Sequence, residues 1–600
     1  MCGIAGAFWP QTQPSEECLA GRLRPVLNAL ARRGPDGEGM FVDPAAGVVL
    51  GHRRLAIQDL TPAAAQPFRS PTGRWVLTFN GEIYNYRELA ARLAAPRDST
   101  GDTAVLAAAL DAWGWERTLA EIDAMFALAA WDTASRQLYL ARDRFGEKPL
   151  VYAEFGGGFY FASDLRALSA WPGFPSEPDL SCRGRFAETG YLAAPDTVYR
   201  AARKLSPAHW LVVTPGALGG GIRVSAPIRF WSPAAPAAFS GTRADAVAEL
   251  DFRLAQAVAS RRAADVPVGL FLSGGLDTAA IASAAPDLPA FTLGIADPYL
   301  DESHEAGRIA ARLGLRQQVA RLDEKTAVAL ASELTSIYDE PFADSSQIPT
   351  LAACRLAARS VKVVLTGDGG DELFGGYPRY GYLAWASAAP SWVRRGAALA
   401  LRTLGEEEKA RMLGRATPAG DLAALYSAVM GGGPTNVTGV RPDDPLGWMG
   451  LHDLQHYLPN DLLVKVDRAA MSCGLETRLP MLDPRLVQLA LSLPPAWKRD
   501  KAILAAVLRR RLPSFARGPK RGFQAPIWRW LLGPLRDWAQ ALVDRTDCVE
   551  LAEQWRSHLK APQRRCVTLW SHLIWEDWLR RRVSVPPPDR LRSAPTVLRA

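Results

Sequence analysis

Cys2 is the first residue of this chain that could do chemistry, because a thiol this close to the amino terminus can carry its own base. If Met1 is removed, Cys2 holds both a nucleophilic thiol and a free α-amine. Such an amine titrates at about 7.7–8.0 and takes up a proton near neutrality. Gly3 beside it lets backbone and substrate approach closely. Cations follow in Arg33-Gly34-Pro35-Asp36 and His52-Arg53-Arg54-Leu55. Asn80-Gly81-Glu82-Ile83-Tyr84-Asn85 comes directly after the apolar run Trp75–Phe79. An Asn amide and a Gly N–H at a strand end can form an oxyanion hole. Gly101-Asp102-Thr103 opens a helical pattern with a carboxylate. Singly these are surface cations, a turn and a helix cap. Together they point to chemistry.

Two later segments carry a different chemistry. Phe271-Leu272-Ser273-Gly274-Gly275-Leu276-Asp277-Thr278 ends the apolar run Val266–Leu272 and leads into a helix. Its exposed N–H groups and the helix start make an anion site. The spacing is not G-x-x-x-x-G-K-[ST], which excludes a P-loop NTPase. Thr366-Gly367-Asp368-Gly369-Gly370-Asp371-Glu372 leaves a second apolar run, Val361–Leu365. Its carboxylates among glycines suit Mg²⁺, which prefers oxygen ligands and phosphates.

The first set of motifs resembles the class II glutamine amidotransferases, specifically the glutamine-hydrolysing asparagine synthetases. The matches extend through Ala141–Leu150 and Phe161-Ala162-Ser163. The resemblance implies that Cys2 attacks the glutamine amide to give a thioester and ammonia, with Asn80 and Gly81 stabilising the oxyanion. It assigns Arg54 to the glutamine carboxylate, and Glu82 and Asp102 to its ammonium. Gly101 stands where relatives commonly carry Ser.

The later segments resemble the PP-loop, S-G-G-x-D-S, of enzymes that cleave ATP to AMP and diphosphate; Thr278 replaces the final Ser. The resemblance assigns ATP to Leu272, Ser273, Gly274, Gly275, Asp277, Thr278, Leu293, Thr366, Gly367 and Asp368. Leu293 takes the place whose backbone reads adenine. Mg²⁺ falls to Asp277 and Asp371, and catalysis to Asp368 and Lys501. Lys465-Val466-Asp467-Arg468, Glu476-Thr477-Arg478-Leu479-Pro480 and Leu482-Asp483 match further synthetase motifs.

The activity implied is amidation of aspartate through a β-aspartyl-AMP, with ammonia crossing between sites by an internal tunnel. The same machinery could amidate a sugar uronic acid or a peptide-like, secondary-metabolite precursor. A tRNA-modifying PP-loop enzyme would need a paired thiol motif and a basic, aromatic-interleaved RNA surface, and neither is present. A β-lactam-forming synthetase shares both folds without using glutamine, and Cys2 with Asn80-Gly81 argues against it. A homodimer is compatible with the resemblance.

The elements that must position these groups change character along the chain. Short strand-like runs such as Val48–Leu50, Leu138–Leu140, Phe159–Ala162 and Trp210–Val213 fill the first two hundred residues, with helical patterns at Arg87–Leu93 and Thr103–Trp113. Strands then alternate with helices, the signature of a parallel sheet, and beyond about residue 380 the pattern is mostly helical. The expectation is an α+β N-terminal nucleophile (Ntn) αββα sandwich over 2–213 and a linker over 214–242. An α/β parallel-sheet PP-loop domain with a helical C-terminal part should follow over 243–582, then a disordered basic tail over 583–600.

With 600 residues, 48% apolar and 22% charged, the composition is that of an ordinary globular protein. No run nears the roughly eighteen apolar residues of a membrane helix, and the start does not read as a signal peptide. A cytoplasmic enzyme with small-molecule partners, and neither nucleic acid nor membrane, is expected. The net charge of +8 is spread over scattered arginines. Seven dispersed cysteines form no C-x-x-C pair, so neither disulfides nor zinc are indicated. His452 and His456, at helical spacing without H-E-x-x-H, read as structural or surface groups.

Overall fold

The computed structural model describes residues 2–10, 15–93, 99–216, 221–233, 237–380, 390, 445–513, 515, 525–562 and 566–583. Met1 and, beyond Val583, the expected basic tail lie outside the described residues. The amino-terminal region holds two antiparallel sheets. The first contains β1 (Gly3–Phe8), β2 (Gly37–Asp43), β3 (Val48–Arg54), β8 (Val151–Phe155), β9 (Gly158–Ala162) and β10 (Ala202–Lys204), in the order β10-β8-β9-β1-β3-β2. The second contains β4 (Phe68–Arg69), β5 (Trp75–Ile83), β6 (Ala124–Asp132), β7 (Gln137–Arg142), β11 (His209–Pro215) and β12 (Ile222–Val224), in the order β12-β11-β7-β6-β5-β4. β13 (Ile228–Arg229) also pairs with β11.

Alternation along β1 explains the layering. Ile4 and Phe8 join Val76, Ala129 and Trp131 of the second sheet in the central core. Ala5 and Ala7 face the other way, into the cluster holding the Glu16–Ala29 helix. That helix buries Leu19, Leu23, Val26 and Leu27, one face at helical spacing, and the Ser15 hydroxyl caps it by accepting from Cys18 N. The apolar Asp102–Trp113 helix covers the outer face of the second sheet through Val105, Leu106 and Leu110. The result is the expected αββα sandwich.

Part of the stretch read as a linker is sheet. β12 and β13 extend the second sheet antiparallel to β11, so the first domain reaches to about residue 229. The Gly- and Pro-rich composition masked these short edge strands.

Five parallel strands form the third sheet: β14 (Val268–Phe271), β15 (Ala290–Ile295), β16 (Gln317–Leu322), β17 (Val363–Leu365) and β18 (Glu476–Arg478). Their order is β16-β15-β14-β17-β18, so strand order reverses between β14 and β17. In such sheets the crevice beyond the carboxyl ends of these two strands is where ligands bind. Helices dominate from Pro445 onward, and the Val567–Val583 helix returns to the first domain. There Trp575 packs on Phe186 and Glu576 pairs with Arg183 at 2.7 Å.

Candidate active sites

Cys2 sits just before β1 and is buried. Its backbone N donates to Asn80 Oδ1 at 2.8 Å. Arg33 Nε donates to the Cys2 carbonyl at 3.3 Å, and its Nη1 and Nη2 grip Asp467 at 2.9 and 3.0 Å. The pocket at the thiol is lined by Arg54, Gly81, Glu82, Asp102 and, from the other domain, Glu476. Burial pushes the Cys2 thiol up, so at neutral pH it is protonated and needs a base at the moment of attack.

Asn80 and Gly81 do not follow the strand as the sequence suggested. They lie inside β5, paired with Ala127 and Phe126 of β6. Asn80 Oδ1 faces Cys2, while its Nδ2 is buried and has no hydrogen-bond partner among the described residues. A buried donor left without a partner calls for an explanation, and a ligand oxygen would supply one. A Cβ at Gly81 would lie 2.3 Å from Met125 O, so only glycine fits there.

Arg54 lines the pocket and donates to the carbonyls of Asp59 and Thr61. Its neighbours do not serve. His52 is buried and driven by desolvation to a pKa of about 3, so it is neutral. Arg53 pairs with Glu38 at 3.0 Å. Glu82 is buried and accepts from Gln58 and from Arg478 Nη2, the latter at 2.9 Å. Asp102 begins its helix, where the helix dipole favours a carboxylate, and accepts from Ile83 N at 2.9 Å. Burial pushes its pKa up to about 6.

Glu476 and Arg478 of β18 were read from sequence only as synthetase motifs; the structure brings them to the glutaminase side. Arg478 Nε bonds Glu476 at 2.6 Å, and its carbonyl accepts from Thr366 N at 3.0 Å, at the start of the second nucleotide loop. Burial opposes the charge on Glu476, yet surrounding cations, Arg478 and Lys148 among them, bring its carboxyl down to about 2. The only sequence signal was a Glu-Thr-Arg alternation that places two charges on one face of a strand.

At the reversal point of the parallel sheet, Ser273–Thr278 leaves β14 and Thr366–Asp371 leaves β17. Ser273 Oγ accepts from Gly275 N at 3.1 Å. Thr278 Oγ1 accepts from Ser273 N at 3.1 Å and so braces the loop. Leu293 lies within neighbouring β15. Lys501 precedes the Ala502–Arg511 helix and is buried, with Nζ on Asp277 Oδ2 and 2.6 Å from Asp371 Oδ1. Burial would lower its pKa, but the two carboxylates hold it above the ordinary lysine value. The backbone reaches this cluster through two left-handed residues, Asp500 (φ 53°) and Lys501 (φ 58°). Such strain costs about 1–3 kcal/mol per residue and concentrates at functional sites. A Cβ at Gly376 would fall 1.9 Å from Asp371 Oδ1 and 2.1 Å from Lys501 Cε, so a larger residue there would displace the cluster's side chains.

Asp277 and Asp371 suit Mg²⁺, which uses one or two carboxylates and takes its remaining ligands from phosphates and water. Among the described residues no group of three or more His, Cys, Asp or Glu could hold a metal unaided. All seven cysteines are free thiols, and the His452 and His456 rings pack at a tilt of 32° with centroids 4.6 Å apart. No described helix is long and apolar enough to cross a membrane.

Residues 249–580 match the asparagine synthase family, and residues 1–219 match the glutamine amidotransferase domain family. A Mycobacterium bovis protein provisionally named a glutamine-hydrolysing asparagine synthetase is 32% identical, over 96% of this chain and 97% of its own length. Glutamine-hydrolysing asparagine synthetase 1 of Bacillus subtilis is 28% identical over 91% of this chain and 90% of its own. A protein of Gibberella zeae named an amidase is 27% identical over 92% of this chain and 93% of its own.

Proposed function

The chain belongs to the asparagine synthase family and is an ATP-dependent, glutamine-hydrolysing ligase; from that premise we propose that it converts aspartate to asparagine. The observation that carries this reading is the pairing of two sites in one chain. One is a buried thiol beside Asn80, whose Nδ2 has no partner among the described residues, and the other is a Lys501–Asp277–Asp371 cluster where two glycine loops meet.

In the first site the Cys2 thiol attacks the glutamine amide carbon while a base takes its proton. With Met1 removed, the Cys2 α-amine is that base, held by Asn80 Oδ1. The developing oxyanion takes a hydrogen bond from Asn80 Nδ2 and from the Gly81 region of β5. Ammonia leaves, and water releases glutamate from the thioester. Arg54 holds the substrate carboxylate; Glu82 and Asp102 hold its ammonium.

In the second site the acceptor carboxylate attacks the α-phosphorus of ATP and diphosphate departs. Asp277 and Asp371 would hold Mg²⁺, which when bound neutralises charge on the phosphates. Lys501, Ser273 and the loop N–H groups orient the diphosphate, and Asp368 faces the reacting carboxyl. Ammonia from the first site then attacks the aspartyl-AMP, giving asparagine and AMP.

Asn80→Ala should lower glutaminase kcat by about 10²–10³-fold, the usual cost of one oxyanion donor, with little change in KM. Steady-state hydrolysis kinetics check it. Asp102 predicts a pH effect. Its raised pKa of about 6 leaves it ionised above that pH and neutral below, where it loses its hold on an ammonium. Glutaminase kcat/KM should therefore fall as pH drops through about 6, and Asp102→Asn should remove that limb from the profile.

The acceptor is tested by AMP formation with ATP, glutamine and a panel of carboxylic acids. Aspartate should be the best substrate. Turnover of a uronic acid or a peptide-like acid, with aspartate inert, would replace it.

A further inference from the structure

Lys465 is buried and takes no part in the steps above. It stands at the start of the Leu463–Met471 helix, directly after a single π-helical turn, Leu458–Leu462. Such turns are rare and occur often at functional sites. Lys465 Nζ donates to Asp344 Oδ2 at 2.8 Å and to Ser346 Oγ at 2.7 Å. An ammonium has three donors, so one remains. Asp461, buried in the π turn, lies against the Asp344 carboxyl and the Tyr457 hydroxyl and senses the charge of Lys465, while its Oδ1 has no hydrogen-bond partner among the described residues. Gln347, next to Ser346, is fully buried with both side-chain amide atoms likewise unpartnered. Lys465 is also within electrostatic reach of Asp368 on the second nucleotide loop.

Buried polar groups left unsatisfied are costly, so an unpartnered Asp461 oxygen close to this lysine needs a reason. A hydrophobic core does not supply one. A ligand that brings its own donors and acceptors does.

We propose that Lys465, Asp344 and Asp461 form the acceptor pocket and recognise the α-carboxylate and α-ammonium of an amino acid. Lys465 gives its third donor to the carboxylate. The free oxygen of Asp461, with Asp344 behind it, receives the ammonium. The head group so held leaves the side-chain carboxylate to face Asp368 and the nucleotide. Burial pushes the Asp461 carboxyl up, which lets it stay uncharged until an ammonium arrives. This assignment rests on the ligase reading above and sharpens it. The acceptor must carry an ammonium beside its carboxylate, which a sugar uronic acid lacks.

The test measures AMP formation by the full chain with ATP, MgCl₂ and ammonium chloride, offering aspartate, succinate or glucuronate. Succinate keeps both carboxylates and lacks only the ammonium. Losing one charge-assisted contact should lower kcat/KM about 10- to 100-fold relative to aspartate. Asp461→Asn should raise KM for aspartate by about tenfold and leave KM for succinate unchanged, a selective shift that a merely structural residue would not give. Lys465→Met should raise KM for both acids while KM for ATP stays within twofold. Glutamine hydrolysis by each variant reports whether it has folded. If a variant has not, the comparison of acids on the unaltered chain decides. Succinate or glucuronate used as well as aspartate overturns the pocket and leaves the ligase reading standing. No AMP from any acid, with ATP still bound, overturns the ligase reading and the pocket with it.

Discussion

Cys2→Ala is expected to lower glutamine hydrolysis by on the order of 10⁴-fold or more, while synthesis from added ammonium continues near the parent rate. The size follows from removing the only atom able to form the thioester; losing the nucleophile of a covalent hydrolase costs factors of this order. The selectivity follows from position. Cys2 meets its pocket through Asn80, Arg33 and Leu55, and none of these contacts reaches Asp277, Asp371 or Lys501. The thiol's own contact, with Leu55 O at 4.0 Å, is weak, so alanine should leave the fold intact. Glutamine- and ammonium-dependent AMP formation, measured side by side, decide the matter. Loss of both would show that the thiol also supports the second site.

Asp277→Asn should show the converse: ATP-dependent AMP formation reduced about 10²–10³-fold, with glutaminase activity within twofold of the parent. Asparagine keeps the shape and removes the charge. The variant loses one of the two carboxylates that hold Lys501 and, on the proposed reading, one of the two that would bind Mg²⁺. Electrostatic groups aimed at transferring phosphates contribute on this scale. A raised Mg²⁺ requirement, read from a titration at fixed ATP, is the accompanying sign. An unchanged synthetase rate would remove Asp277 from the site.

The sequence made visible those residues whose chemistry is bound to short local patterns. Cys2 at the amino terminus, Asn80-Gly81 after an apolar run and the two glycine loops after strands each kept their neighbours in the fold. The parallel sheet was legible because β14, β15 and β17 are continuous apolar runs, as strands buried on both faces must be. What escaped depended on tertiary contact. Glu476 and Arg478 reach the glutamine pocket only because β18 is the edge strand of the sheet facing the first domain. Lys501 was assigned to catalysis through the resemblance alone, because no local pattern announces the two left-handed residues that turn it inward. His52 looked like a cation beside Arg53 and Arg54, and burial makes it neutral. Asp467, matched as a motif residue, joins the domains by binding Arg33; Arg468 grips Asp339 within the second domain at 2.7 and 3.0 Å, and Asp339 in turn accepts from Leu165 N of the first at 2.7 Å. Breaking a buried pair of this kind costs about 3–5 kcal/mol, so these charges fix how the two sites face each other.

The central claim is that nitrogen freed at Cys2 ends on an acid activated by ATP in the other domain. Glutamine labelled with ¹⁵N at its amide, supplied with aspartate, ATP and a large excess of unlabelled ammonium, tests it most directly. The expected result is asparagine enriched in ¹⁵N far above the bulk ammonium pool, with AMP and diphosphate formed in equal amounts. Product nitrogen matching the bulk pool, or ADP and phosphate in place of AMP and diphosphate, would contradict it.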